Sequence, residues 1–178
     1  MLFLCDGIVG WWWWRRQRER RYDPQILQAA ARYGIEPALV KAVIWRESRF
    51  QAEAQGAAGE VGLMQIRPGV VQEWSAAERT SSTRPEHVMQ PLTNILIGTW
   101  YLKKLMSRYP HVDDPIPYAL SDYNAGRQHS LRWGQGGAST NSAQFVAQIG
   151  FPGTQVYVQE VLRRRALYQT EFAKRRSR

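Results

Sequence analysis

The 178-residue chain is long enough for one domain with its own core, and its 44% hydrophobic and 22% charged residues match a globular protein, neither disordered nor fully membrane-embedded. A single cysteine, Cys5, excludes an internal disulfide framework and a cysteine-rich zinc site, and His87, His111 and His129 stand in no metal-ligand spacing, so no metal or other cofactor is expected. The 24 basic against 15 acidic residues give a formal charge of +9, which favours anionic partners: nucleic acid, acidic phospholipid and anionic cell-wall polymer all qualify, as do plain solvated basic flanks.

Met1 to Trp14 are mostly apolar and end in Trp11, Trp12, Trp13 and Trp14, after which Arg15 to Arg21 form a basic run. The stretch falls short of the roughly 20 apolar residues of a bilayer-crossing helix, is broken by Asp6 and lacks the basic start of a secretory signal. Tryptophan clusters do favour the membrane interface. A short anchor, an interfacial segment beside a polybasic patch and a start that has lost upstream residues all fit, and some membrane attachment is expected. From Tyr22 onward no stretch alternates with period two, so the expected class is all-α, with little or no sheet. Asp23-Pro24 reads as an N-cap and first-turn proline of a helix through Tyr33, which Gly34 ends. A second helix opens at Pro37; Leu39, Val40, Val43 and Ile44 recur at helical spacing while Ala42 and Trp45 make the other side apolar, so it is expected to be buried on nearly all sides. Pro91 opens a long helix that Pro110 stops, another spans about Pro117 to Tyr123 with Gly126 as its left-handed stop, Ser130 to Asn141 reads as a flexible loop, and a last helix covers about Thr154 to Phe172. This divides the chain into an N-terminal segment 1–21, a domain 22–170 and a basic tail 171–178.

The helix from Pro37 ends in Trp45-Arg46-Glu47-Ser48-Arg49-Phe50, which puts a carboxylate at the end of a buried helix. Neighbours such as Trp45, Phe50 and Met64 would disfavour its ionised form and raise its pKa, leaving a protonated acid able to donate to a leaving oxygen. From position alone, a salt bridge from Glu47 to Arg46 or Arg49 accounts for it as well.

Downstream stand Gly62-Leu63-Met64-Gln65, Asn94-Ile95 and Tyr123-Asn124-Ala125-Gly126. With Glu47-Ser48 these pieces, in this order across roughly Tyr22 to Tyr168, resemble the lytic transglycosylase domain of the soluble-transglycosylase type, in the goose-lysozyme-like superfamily. The resemblance implies a lysozyme-like helical domain whose central buried helix ends at the catalytic Glu47. It further implies that Glu47 alone protonates the glycosidic oxygen between N-acetylmuramic acid and N-acetylglucosamine in peptidoglycan, then accepts the C6 hydroxyl proton as a 1,6-anhydro ring closes. Most glycosidases use two carboxylates, and here Glu53 and Glu60 fall in a loop where solvated charge is the expected role. By the same resemblance Gln65 and Asn124 would offer amides to sugar hydroxyl or acetamido groups, and Met64 and Tyr123 would line the pocket. Tyr157 matches a family tyrosine near the start of the final helix, and Ser48 either touches substrate or bonds within its helix. Gln65, Asn124 and Met64 are equally open to plain structural roles.

Two positions depart from the family pattern: Gly56 stands where a serine is common nine residues after the glutamate, and Gly153-Thr154-Gln155 stand where Glu-Thr-Arg is common. Contacts on that side of a glycan groove are therefore expected to differ. A lysozyme-like hydrolase of the same fold and a non-catalytic glycan-binding protein are the alternatives. No nucleic-acid motif accompanies the charge, so no nucleic-acid partner is expected. The resemblance places the protein in the cell envelope, on the periplasmic side and membrane-associated, whereas the basic run after the apolar segment would by the positive-inside rule hold the domain in the cytoplasm.

Overall fold

The computed structural model describes residues 17–80 and 84–176, so the Trp-rich stretch lies outside the described residues. After a helical turn at 17–20, these residues form α1 (Asp23–Tyr33), α2 (Pro37–Ser48), α3 (Pro68–Ala77), α4 (Pro85–Val88), α5 (Pro91–Met106), α6 (Pro115–Ala125), α7 (Arg127–Trp133), a 3-10 turn (Gly136–Ser139), α8 (Ser142–Gln148) and α9 (Pro152–Arg176). Among them there is no strand, only isolated antiparallel bridges of Gln55 with Val61 and of Val61 with Ile66. The all-α class expected from the sequence is the observed one. No described helix is long and apolar enough to cross a membrane.

Helix α2 is the axis of the fold. Every residue from Ala38 to Trp45 is buried, because a helix apolar on nearly all sides, Lys41 excepted, finds partners all round. Helix α9 lies along it, α1 packs beside it, and α6 meets α9 and α5. Gly34 ends α1 as expected, in the left-handed conformation (φ 63°, ψ 40°) with its N–H donating to the Ala30 carbonyl.

Asp23 does not cap α1. Tyr22 occupies the cap position without a side-chain bond, and the Asp23 carboxylate turns inward to Lys41, 2.7 Å away, and to Arg175. Lys41 sits in the middle of α2 with no solvent exposure, and its ammonium also lies 3.6 Å from Glu171 and 4.9 Å from the Tyr168 ring centre. A buried ammonium without a counter-ion costs far more than a missing cap, which explains where the carboxylate goes.

The segment Ser130 to Asn141 is not a flexible loop. Helix α7 runs to Trp133 and a 3-10 turn follows, because tertiary partners fix the segment at three points. The Ser130 and Ser121 hydroxyls pair at 2.8 Å, the Tyr118 hydroxyl donates to the Ala138 carbonyl at 2.7 Å, and Trp133 packs edge-on to Phe151. Helices α6 and α9 also start earlier than expected, at Pro115 and Pro152, and α9 extends to Arg176.

Helix α5 reaches the loop after α2 through Gly98, where a β-carbon would collide with the Met64 sulfur. The Met64 side chain has no solvent exposure, so it has little freedom to withdraw. Gly98→Ala is expected to lower unfolding free energy by about 1–3 kcal/mol through overpacking, measured as a drop in the urea midpoint at unchanged m-value.

Candidate active site

Glu47 occupies the last turn of α2. Arg49 and Phe50 follow with φ of 52° and 62°, which stops the helix two residues before the expected Phe50 and turns the chain into the loop 51–67. The Ser48 hydroxyl, itself buried, lies 2.8 Å from the Leu63 carbonyl and 3.2 Å from that of Ile44, pinning the helix end to the Gly62–Gln65 segment.

That segment is held from two sides. Buried Asn94, near the start of α5, accepts the Met64 N–H at 2.8 Å and donates to the Val61 and Val88 carbonyls at 2.9 and 3.0 Å, so both its amide hydrogens and its oxygen are engaged. The Tyr123 hydroxyl donates to the Met64 carbonyl at 2.7 Å. Gly62 sits at φ 80°, with its missing side chain replaced by the Asn94 amide packed against it. The Gln65 amide donates to the Ala54 and Gly62 carbonyls at 3.1 and 3.0 Å.

Helix α9 brings the other half. The buried Tyr157 donates its hydroxyl to Glu47 Oε1 at 2.6 Å, and one turn earlier the Thr154 hydroxyl donates to Asn124 Oδ1 at 2.8 Å. A pocket of about 120 Å³ is walled by Gln65, Arg67, Tyr101, Tyr123, Asn124 and neighbours.

Burial pushes the Glu47 carboxyl up to about 7, against the opposing pulls of the Tyr157 hydroxyl and the Arg46 guanidinium; the negative charge of Glu60 adds to the rise. Arg46 is engaged with Glu160 at 2.9 Å. Glu60 is a different carboxylate: hydrogen bonds from its own and the Ala58 backbone, and Arg67 at 2.8 Å, hold it below its ordinary value and ionised. Burial, and then the charge of Glu47, raise both Tyr123 and Tyr157 well above the ordinary tyrosine value, so both remain donors.

The seven residues singled out from sequence thus fall into three groups. Glu47 and Tyr157 are directly bonded. Gln65, Tyr123 and Asn124 line the pocket, while Ser48 and Met64 face inward, Ser48 on a carbonyl and Met64 in the core. Thr154 and Tyr101 were not singled out. Thr154 had a signal, its place three residues before Tyr157 on the same helix face; Tyr101 reads from sequence as one more apolar position of α5. Among the described residues no group of His, Cys, Asp and Glu is arranged to hold a metal ion.

Because the Tyr157 hydroxyl favours the ionised carboxylate, Tyr157→Phe is expected to move the Glu47 pKa upward from about 7. A carbon-13 NMR titration of the carboxyl would read the shift directly; an unchanged or lowered value would mean that the 2.6 Å bond does not set the proton affinity.

A helical domain of lysozyme-like type, with one half-buried acid poised near neutrality at the end of its central helix, is the class that fold and site define. The chain belongs to the Transglycosylase SLT domain family, whose model matches residues 24–146. It is 34% identical over 112 residues to membrane-bound lytic murein transglycosylase F of Desulfosudis oleivorans, covering 61% of this chain and 23% of that protein. It is 31% identical over 137 residues to the soluble lytic murein transglycosylase of Salmonella typhimurium, covering 76% and 21%. Among solved structures, it is similar to an inactive mutant of lytic transglycosylase Slt from Pseudomonas aeruginosa (TM-score 0.79, 24% identity, 86% of this chain and 25% of that one). It is also similar to the 70 kDa soluble lytic transglycosylase of Escherichia coli (TM-score 0.75, 26% identity, 85% and 24%). The chain therefore spans about a quarter of the length of these relatives.

Proposed function

We propose that the protein is a peptidoglycan lytic transglycosylase that cleaves the β-1,4 bond between N-acetylmuramic acid and N-acetylglucosamine. The observation that carries this reading is Glu47 itself, raised to about 7 and bonded to Tyr157, while Glu60, the acid whose charge adds to that rise, is tied to Arg67 and ionised. Protonated Glu47 donates to the glycosidic oxygen as the bond to C1 breaks. The resulting carboxylate, stabilised by the Tyr157 hydroxyl, then takes the proton of the muramic C6 hydroxyl as its oxygen bonds to C1. No water is consumed and the acid is regenerated. A pKa near 7 suits a group that must give a proton and then take one back. Gln65 offers its amide oxygen and Asn124 its amide nitrogen to the sugar at the pocket wall, since the other half of each amide is bonded within the protein, and Tyr123 fixes the Met64 peptide beside it. The family membership and the murein transglycosylases among its relatives support the substrate.

The same reading puts the protein in the cell envelope, on the periplasmic side, associated with the membrane through the segment 1–21. The test of the reaction is mass spectrometry of the muropeptides released from purified peptidoglycan by the full chain. 1,6-Anhydromuramic ends are expected; reducing ends would make the protein a lysozyme-like hydrolase, and no release would make it a glycan-binding protein.

A further inference from the structure

The described chain opens on a cleft that the reaction does not use. Gln17, Arg18, Arg20, Arg21, Tyr22 and Phe50 line a space of about 520 Å³, with three arginines and no acid in its wall. The arginines are held in place: Arg20 bonds Glu171 at 3.0 Å, Arg18 Nε reaches the Phe50 carbonyl at 3.5 Å, and the Arg21 guanidinium lies 5.8 Å from the Tyr22 ring centre. The one acid within this run, Glu19, accepts the Tyr168 hydroxyl at 3.1 Å and does not line the cleft. In the sequence, Arg15 and Arg16 and the four tryptophans Trp11 to Trp14 come directly before Gln17.

We infer that this arginine cleft is a docking surface for the phosphate headgroups of an acidic phospholipid bilayer. The inference rests on the membrane association proposed above and adds to it a site in the folded domain. Guanidinium groups match phosphate oxygens with forked donors, and arginines already fixed by Glu171, Phe50 and Tyr22 lose little freedom on meeting a headgroup. Adjacency also acts through geometry, since tryptophans settle at headgroup level and the cleft follows three residues later in the chain. Basic residues close to an anionic leaflet each strengthen attachment appreciably, and the attraction is screened within a Debye length.

The test is flotation of the full chain with vesicles of pure phosphatidylcholine and vesicles carrying phosphatidylglycerol, for wild type, R18Q/R21Q and a control pair on α7, R127Q/R132Q. Wild type is expected to bind both, with a preference for the acidic vesicles that disappears as sodium chloride is raised. R18Q/R21Q should lose about thirtyfold in affinity for acidic vesicles while keeping its binding to the neutral ones, and the control pair should lose much less. Equal losses in the two pairs, a wild type without lipid preference, or displacement by inorganic phosphate at constant ionic strength would each overturn the site. Absence of binding to either vesicle would overturn the membrane association as well. The salt titration of wild type needs no variant, so a poorly folding R18Q/R21Q would not shelter the inference.

Discussion

Glu47→Gln is expected to reduce release of muropeptides by about a thousandfold, the middle of the range that a positioned proton donor contributes, while leaving the domain folded and more stable at alkaline pH. The stability gain follows from the direction of the pKa change. In the unfolded chain the carboxyl titrates near 4.5, and in the folded one burial raises it to about 7. Between those values the folded state binds more protons, so wild-type stability falls as pH rises from about 4.5 to 7, and the full penalty persists above. The neutral amide carries no such penalty. At pH 8 the variant should therefore exceed wild type by about 3 kcal/mol, an order-of-magnitude figure for a shift of this size, with the difference vanishing near pH 4. Urea denaturation at pH 4, 6 and 8 separates this from an ion-pairing role, which would make the variant less stable at neutral pH. In parallel, turnover by wild type should hold steady on the acidic side and decline as pH passes about 7, where the donor loses its proton.

Asp23→Ala should cause a large loss of stability although it lies outside the site. Lys41 has no exposure, and Asp23 at 2.7 Å is the nearer of its two carboxylates, with Glu171 at 3.6 Å. Removing the nearer partner of a buried pair costs up to about 3–5 kcal/mol, because the Lys41 charge is left with only the more distant Glu171, at 3.6 Å. For a domain of this size that is a fall in Tm of about 10 °C or more. The double variant Asp23→Leu with Lys41→Met should recover most of the loss, since an apolar pair of similar volume carries no desolvation penalty. Thermal unfolding of both decides the point. Failure of the double variant to recover would mean that Arg175, which also bonds Asp23, carries the stabilisation.

Much of this fold is legible because its start and stop signals are local. Pro37 and Pro91 open helices and Gly34 closes one, each acting through its own backbone geometry. The same signal stands at Pro68, Pro85, Pro115 and Pro152, where proline alone does not fix a start without an apolar run of helical length behind it: α4 is one turn long, and α3 offers only Val70, Val71 and Trp74 to the core. The segment 130–141 misleads for the opposite reason. Its glycines and serines describe a loop locally, and only tertiary partners such as Ser121, Tyr118 and Phe151 turn it into helix.

For the site, the position of Glu47 at the end of an apolar helix is read directly, whereas the resemblance marks Tyr157 as a family tyrosine without placing it at Glu47, 110 residues away in sequence. The buried lysine could not have been foreseen. Nothing near Lys41 in sequence offers a counter-ion, and its partners come from the beginning of α1 and the last turns of α9. The inward orientation of Met64 is likewise set from afar, by Gly98 on α5.

The ion pairs around Lys41 also settle a matter of connectivity. Arg20 and Asp23 on one side and Glu171 and Arg175 on the other bring two stretches some 150 residues apart into direct contact. A polypeptide that enters and leaves through neighbouring points can be spliced into a larger protein without spreading its host apart. The same proximity makes circular permutation feasible: a short glycine-serine bridge from residue 176 back to residue 17, with new ends cut in an exposed turn, should preserve the fold.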